Sequence, residues 1–257
     1  MNPYALFLDI DRTLTADNNI VPKRNIEALK KARELGHKVI INTGRSYGNI
    51  PKEIFEQIEF DGVVSGNGSA LMLNGETLYA NFIEKSVFEK IASFCFDNED
   101  YWAVFEGFKR SYTTAGRGRE LSSSDIPVSS LKELLELGKD DDFQVIAVSS
   151  NFSKDFLEKL SKNITFYTFD YYYDLTAKGN NKANGMLKLL EIMNIPQSQS
   201  MAFGDSENDF NMLKCAGVGV AVANAQPDVL EIADYVTLSN KDGGVGAAIE
   251  KYLLKGN

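Results

Sequence analysis

The 257-residue chain holds one histidine and two cysteines, and no apolar run approaches the roughly 20 residues that a membrane-spanning helix needs. His37, the single histidine, follows the helix-ending Gly36 and reads as a surface residue; the chemistry inferred below needs no imidazole. Cys95 and Cys215 lie far apart and belong to no metal-spaced cluster, so both are expected to be reduced thiols in a cytoplasmic protein. Basic residues are in the minority, 27 Lys and Arg against 36 Asp and Glu. The resulting net charge of −9 argues against nucleic acid or an anionic membrane as a partner and suits recruitment of a cation. The start Met1-Asn2-Pro3-Tyr4 carries no basic segment and Asp9 interrupts the apolar run after it, so no signal peptide is expected. Apolar residues make up 44% of the chain, enough for two cores at this length.

Against these absences stands one dense cluster of acid. The apolar run from Tyr4 to Leu8 reads as a buried parallel strand and ends in Asp9-Ile10-Asp11-Arg12-Thr13. Carboxylates at i and i+2 on a strand's carboxyl end point to the same side, at the edge where open α/β sheets place their chemistry. Such close like charges repel unless compensated, and a divalent cation compensates them well. A lone Asp-x-Asp is an ordinary acidic turn; three further signals, in order along the chain, argue for more. Val39-Ile40-Ile41-Asn42-Thr43-Gly44-Arg45 is a strand ending in a hydroxyl and a glycine, able to grip an anionic oxygen. Lys182, with Lys178 as its nearby competitor, precedes the helical stretch from Ala183 to Met193. Met201 to Gly204 is a strand followed by the acidic turn Asp205-Ser206-Glu207-Asn208-Asp209.

Alternation of strands and helices predicts a doubly wound parallel α/β sheet. The expected elements are strand 4–10, helix 22–35, strand 38–42, a helix around 47–58 and strand 62–65. The pattern resumes near Lys182, with strands at 200–204, 217–222 and 235–238 and helices at 207–215, 227–233 and 244–254. Between the halves, about 82–175, the character changes to α+β. A helix is expected over 83–95, then hairpin strands 101–105 and 108–114 with Glu106-Gly107 at the turn. Helix 131–137, strand 143–149, helix 152–160 and strand 164–169 follow, with a further strand over 171–176. Tyr101, Trp102, Phe105, Phe108 and Tyr112 are expected to form the core of this insertion, and the Tyr171-Tyr172-Tyr173 run to turn at least one face outward. The basic stretch of Lys109, Arg110, Arg117 and Arg119 reads as a solvated hairpin, with contact to a second anionic group of a substrate as the alternative.

The ordered set resembles the haloacid dehalogenase superfamily, in its Cof-type sugar-phosphatase-like branch. The resemblance spans nearly the whole chain. It includes Ser65-Gly66-Asn67-Gly68, the block from Gly204 to Asp209, the run from Val220 to Ala225, Asp234-Tyr235-Val236-Thr237 and Asp242-Gly243-Gly244-Val245. Two departures stand out: Arg12 where members usually carry glycine, and Asn184-Gly185 after the lysine. The resemblance implies a Rossmann-like catalytic core over 1–81 and 177–257 and an inserted α+β cap over 82–176, placed above the aspartates and setting specificity. It implies an Mg2+-dependent phosphomonoester hydrolase acting on small phosphorylated metabolites such as sugar phosphates. In that scheme Asp9 is the nucleophile and Asp11 the general acid and base. Mg2+ sits on the Asp9 and Asp205 carboxylates and the Asp11 carbonyl. Ile10, Thr43, Gly44, Lys182 and Asn208 hold the phosphoryl oxygens, Asp209 orients Lys182 or the metal's waters, and Arg45 lines the entrance. A phosphomutase and a non-catalytic phosphometabolite-binding regulator are the alternatives; intact Asp9, Asp11, Lys182 and Asp205 argue against the regulator.

Overall fold

The computed structural model describes residues 3–114 and 125–254. In chain order the first elements are β1 (Ala5–Leu8), α1 (Lys23–Glu34), β2 (Lys38–Asn42), α2 (Lys52–Gln57), β3 (Gly62–Ser65), β4 (Ala70–Leu73) and β5 (Glu76–Ala80). Next come α3 (Lys85–Asp97), β6 (Ala103–Gly107), β7 (Ser111–Thr114), β8 (Asp125–Val128), α4 (Leu131–Leu137) and β9 (Phe143–Ser149). They are followed by α5 (Lys154–Leu160), β10 (Ile164–Thr168), β11 (Tyr172–Ala177) and α6 (Lys182–Met193). The last are β12 (Ser200–Gly204), α7 (Phe210–Cys215), β13 (Val218–Ala221), α8 (Pro227–Ile232), β14 (Tyr235–Val236) and α9 (Gly244–Ile249). Two compact units result: Met1–Gly44 with Pro51–Tyr79 and Asn181–Asn257, and Arg45–Ile50 with Ala80–Asn180.

The first unit is built on an eight-stranded sheet in the order β14-β13-β12-β1-β2-β3-β4-β5. The six strands from β14 to β3 run parallel, and β4 is antiparallel to β3. From β1 the chain winds outward through β2 and β3, and it later winds the other way through β12, β13 and β14. The junction of β1 and β12 is therefore the topological switch point, where a crevice opens at the carboxyl ends of the strands. Ala5, Leu6, Phe7 and Leu8 are all fully buried. Ala5 and Phe7 pack in one cluster with Ile40, Val64, Met186, Leu189 and Met212, and the period-2 alternation turns Leu6 and Leu8 to the opposite side. Burial on both faces explains why β1 is an unbroken apolar run. On that opposite side α1 packs on α9, joined by Asn25: its Oδ1 accepts from Gly246 N at 2.7 Å and its Nδ2 donates to Leu14 O at 3.0 Å.

The second unit carries a six-stranded sheet, β10-β11-β9-β6-β7-β8, antiparallel except for the β7–β8 pair. Its core is aromatic. Phe88 of α3 stacks on Phe143 with ring centroids 3.9 Å apart and meets Phe105 edge to face, and Tyr112 is also fully buried. The expected core aromatics divide accordingly: Phe105 and Tyr112 lie inside, Tyr101 packs on the rim of the same cluster against Phe94 and Phe152, and Phe108 stacks on Tyr47 at 5.1 Å. Along the tyrosine run Tyr171 is 79% exposed and Tyr173 buried.

Several sequence expectations need correction. The helix expected around 47–58 is a single tight turn, Tyr47–Asn49, then α2; Pro51 cannot donate to the ladder of a continuous helix and instead begins the second one. The hairpin turn falls at Phe108–Arg110 rather than at Glu106-Gly107, which belong to β6. The strands β4, β5 and β8 were not anticipated. The stretch 207–215 divides into a tight turn, Glu207–Asp209, and α7. His37 is not on the surface: it is 2% exposed, its Nδ1 accepts from Tyr4 N at 2.9 Å, and burial holds its pKa below the usual value. Arg117 and Arg119 lie outside the described residues; Lys109 and Arg110 are exposed, their N–H groups donating to the Asp141 carboxylate.

The irregular-looking Asn184-Gly185 has a packing cause. Asn181 caps α6 by accepting from Asn184 N, and a Cβ on Gly185 would stand 2.6 Å from Val64 Cγ1 and 3.1 Å from Gly68 Cα. The bare glycine lets the start of α6 lie against β3. Gly185→Ala should therefore destabilise the protein by about 1–3 kcal/mol through overpacking. Urea unfolding measures this, and an unchanged midpoint would contradict it.

Candidate active site

The ends of β1, β2 and β12 and the start of α6 deliver the principal polar side chains, and all belong to the first unit. Asp9 follows β1 and prolongs its pairing, its N–H donating to Phe203 O at 3.1 Å. The chain then makes a wide turn in which Leu14 N donates to Asp9 O and Thr15 N to Ile10 O. Arg12 sits in this turn at φ 60°, ψ 7°, in the left-handed region. Asp9, Ile10 and Thr13 are buried, whereas the Asp11 side chain is exposed. Thr43 and Gly44 follow β2; Thr43 N donates to Val64 O, and Thr43 O accepts from Asn67 N at 3.0 Å. Asp205 follows β12, and the Ser206 and Asp209 side chains cap that turn reciprocally.

Lys182 joins these ends. It is 1% exposed, and its Nζ stands 2.5 Å from Asp9 Oδ1 and 2.7 Å from Asp209 Oδ1. Asn42 fixes the lysine's backbone, donating from Nδ2 to Lys182 O at 3.0 Å. The other oxygen of Asp209 accepts from Asp205 N and Ser206 N at 3.0 and 3.2 Å, so Asp209 is committed to holding Lys182 and the turn. Asp205 Oδ1 accepts from Thr13 Oγ1 at 3.2 Å, and its Oδ2 faces Arg12 Nε at 3.7 Å. Beside them, Asn208 Nδ2 donates to Asn67 Oδ1 at 3.0 Å, and a Cβ on Gly44 would meet both amides, at 3.1 and 3.4 Å. Asn67 Nδ2 is buried and has no partner among the described residues. An unpaired donor in such a place is costly unless a ligand oxygen meets it.

The electrostatics follow from one buried ammonium set among several carboxylates. Burial pulls the Lys182 pKa down, but Asp209 and Asp9 override it and the pKa lies above its usual value, so the lysine stays charged. Burial raises the Asp9 carboxyl well above the carboxylate range against the pull of Lys182, with Asp209, Asp205 and Asp11 adding to the rise. Asp205 is pushed up to about 7, by burial first and Asp209 second. Asp9, Asp205 and Asp209 each offer a carboxylate oxygen, the three within 4.8 Å of one another. Negative charge beyond what Lys182 neutralises, presented on hard oxygen donors, fits a divalent cation.

A model of the family described as haloacid dehalogenase-like hydrolase matches residues 6–249. The chain belongs to that family. It is a hydrolase of the Cof type, and a phosphatase. The chain is 29% identical to Phosphatase YwpJ of Bacillus subtilis, over 96% of this chain and 98% of that one. It is 30% identical to a phosphoglycolate phosphatase of Methanosarcina acetivorans, over 96% and 95%. Among solved structures, a haloacid dehalogenase-like hydrolase from B. subtilis superposes with TM-score 0.83 at 27% identity, covering 97% of this chain and 99% of that one.

The structure brings Asp9, Ile10, Asp205, Asp209, Lys182, Thr43, Gly44 and Asn208 to one sheet edge. Lys178, the competing lysine, lies in the second unit, as does Arg45, whose Nη1 donates to Asn49 O at 3.2 Å. Thr13, bound to Asp205, and Asn67, bound to Asn208, lie beside the group at the sheet edge and were not among the expected site residues. The hydroxyl four residues past Asp9 and the polar side chain just past a third parallel strand were the available signals.

The raised Asp205 carboxyl has a consequence for metal-free protein. Its folded pKa near 7 exceeds the unfolded value of about 3.9, so its protonated form favours the fold. That contribution is full below about pH 4 and is lost as the pH rises through about 7. In EDTA, the stability difference between wild type and Asp205→Asn should therefore move against wild type as pH rises from 5 to 8. A difference independent of pH would contradict the assigned shift.

Proposed function

We propose that this phosphatase hydrolyses monoesters of small phosphorylated metabolites in two steps through an aspartyl-phosphate on Asp9, with Mg2+ as cofactor. The observation that carries the reading is the buried Lys182 bridging Asp9 and Asp209 beside Asp205. An ammonium fixed between a strand-end carboxylate and a supporting one lets an anionic nucleophile approach an anionic ester. Asp9 and Asp205, with the Asp11 carbonyl, would hold Mg2+, which supplies further neutralisation of the phosphoryl oxygens. Asp209 belongs to the support of Lys182.

In the first step an Asp9 carboxylate oxygen bonds to phosphorus as the ester P–O bond breaks, and Asp11 gives its proton to the departing oxygen. In the second, Asp11 takes a proton from water, whose oxygen bonds to phosphorus and releases Asp9 and inorganic phosphate. Lys182, Thr43, Gly44 N–H, Asn208 and the unpaired Asn67 amide are suited to hold the equatorial oxygens while charge redistributes. The relatives support a small-metabolite substrate by their range: one is a 5-amino-6-(5-phospho-D-ribitylamino)uracil phosphatase, others are phosphoglycolate phosphatases, and a structural neighbour is a subclass IIB sugar phosphatase. Selection among such substrates is assigned to the second unit, since none of the phosphate-handling signals lies there. A cytoplasmic location belongs to the same reading, supported by the two free thiols, Cys95 and Cys215.

Phosphate release from a panel of phosphorylated sugars and acids should require Mg2+ and cease with EDTA. Undiminished release without metal would refute the cofactor assignment, and an isomer formed without free phosphate would make the protein a mutase.

Asp9→Asn should reduce turnover to background. Asp11→Asn should slow alkyl phosphates on the order of 10²–10⁴-fold and aryl phosphates much less, because a good leaving group needs little protonation. Equal slowing of both substrate types would show that Asp11 is not the acid.

A further inference from the structure

Arg12 is a largely exposed cation that faces the buried Asp205, and the proposed chemistry gives it no task. Its backbone lies in the left-handed region, at φ 60°, where glycine or asparagine is the unstrained occupant. The turn is held in that shape independently of the side chain. Asn224 Nδ2 donates to Arg12 O at 2.9 Å, and Asn224 Oδ1 in turn accepts from Asn240 N at 2.8 Å. The guanidinium lies across the turn, with Nε 3.7 Å from Asp205 Oδ2 and Nη2 3.5 Å from Asn224 O. Its side chain is 65% exposed, whereas the Asp205 side chain it faces is 3% exposed. Asp205 is thus approached at both oxygens, by the Thr13 hydroxyl on Oδ1 and by a full positive charge on Oδ2.

We propose that Arg12 is a positioning residue that competes with Mg2+ for Asp205 and so sets how tightly the cation binds. This inference rests on the reading of Asp205 as a metal ligand. A divalent ion on Asp205 would stand well within a Debye length of the guanidinium, about 8 Å at physiological ionic strength, and so feel its repulsion. The same guanidinium holds Oδ2 while the site is metal-free. Both effects weaken Mg2+ binding and both vanish when the charge is removed. Because the guanidinium is largely exposed, the repulsion is a screened one, and the effect is a moderate shift in affinity rather than exclusion.

The test is calorimetric titration of Mg2+ into substrate-free protein at low ionic strength, for wild type, Arg12→Gly, Arg12→Asn and Arg12→Lys. Glycine and asparagine both tolerate the left-handed backbone, and lysine keeps the charge. Gly and Asn variants should bind Mg2+ about three- to tenfold more tightly than wild type, with Lys close to wild type and the gap narrowing as salt is added. Unchanged or weaker binding in the Gly and Asn variants, with wild-type Mg2+ binding intact, would overturn the role of Arg12 alone. Tightening in Gly but not Asn would trace the effect to the backbone and overturn it as well. Absence of saturable Mg2+ binding in wild type would refute the metal-site reading and the inference with it.

Discussion

The bridge from Asp9 to Lys182 to Asp209 is the interaction on which the rest of the site depends. A lysine with 1% exposure is tolerable only when its charge is matched and its N–H groups are satisfied. Here the match comes from carboxylates on two different strand ends, β1 and β12, while the lysine itself opens α6. Three distant stretches of chain are therefore locked to one another by a single ammonium. The sheet topology makes the meeting possible, because β1 and β12 are neighbours only at the switch point of the winding order. Asn42 on the adjoining β2 completes the lock from the backbone side, and the absent Cβ of Gly185 lets α6 start close enough to take part.

The bridge also explains why the remaining carboxylates are held at a disadvantage. Asp9 shares its ammonium with Asp209, and Asp205, which meets a hydroxyl and a part-exposed guanidinium, draws on the charge of that same lysine from farther off. Both Asp9 and Asp205 are pushed toward their protonated forms, by burial first, and the Asp209 charge adds to the rise of each. A pocket left in this condition favours whatever brings positive charge to hard oxygen donors. Asp209 differs because its second oxygen is spent on the N–H groups of Asp205 and Ser206. In the proposed chemistry the three acids thus divide into two that face the substrate and one that holds the frame.

Much of this was legible from residue order alone. The parallel strands β1, β2, β3 and β12 are mostly apolar runs, buried throughout except at Lys38 of β2, each ending in a polar residue or a glycine turn, and that pattern survives in one dimension. So does the spacing of Asp9, Thr43, Lys182 and Asp205, because each sits where a strand or helix begins or ends. The second unit was harder to read at its turns and edges. β8 and β5 are short edge strands whose exposed faces lack alternation, and the β6–β7 turn, Phe108–Arg110, begins just after the Glu106-Gly107 pair that looked like it. His37 misled because its burial comes from a distant partner, Tyr4, that local sequence does not advertise. Thr13 and Asn67 were hidden for the opposite reason: small polar residues in turns are common, and only the folded geometry shows one bound to Asp205 and the other with a buried, unpaired donor.

The covalent role of Asp9 is the centre of the proposed chemistry. Protein quenched in acid during turnover of a phosphomonoester, with Asp11→Asn used to slow the second step, can be digested and its peptides weighed. The mechanism predicts a phosphoryl adduct on the peptide that carries Asp9, absent from Asp9→Asn. Turnover that proceeds with no adduct, or with the adduct on another residue, would contradict it.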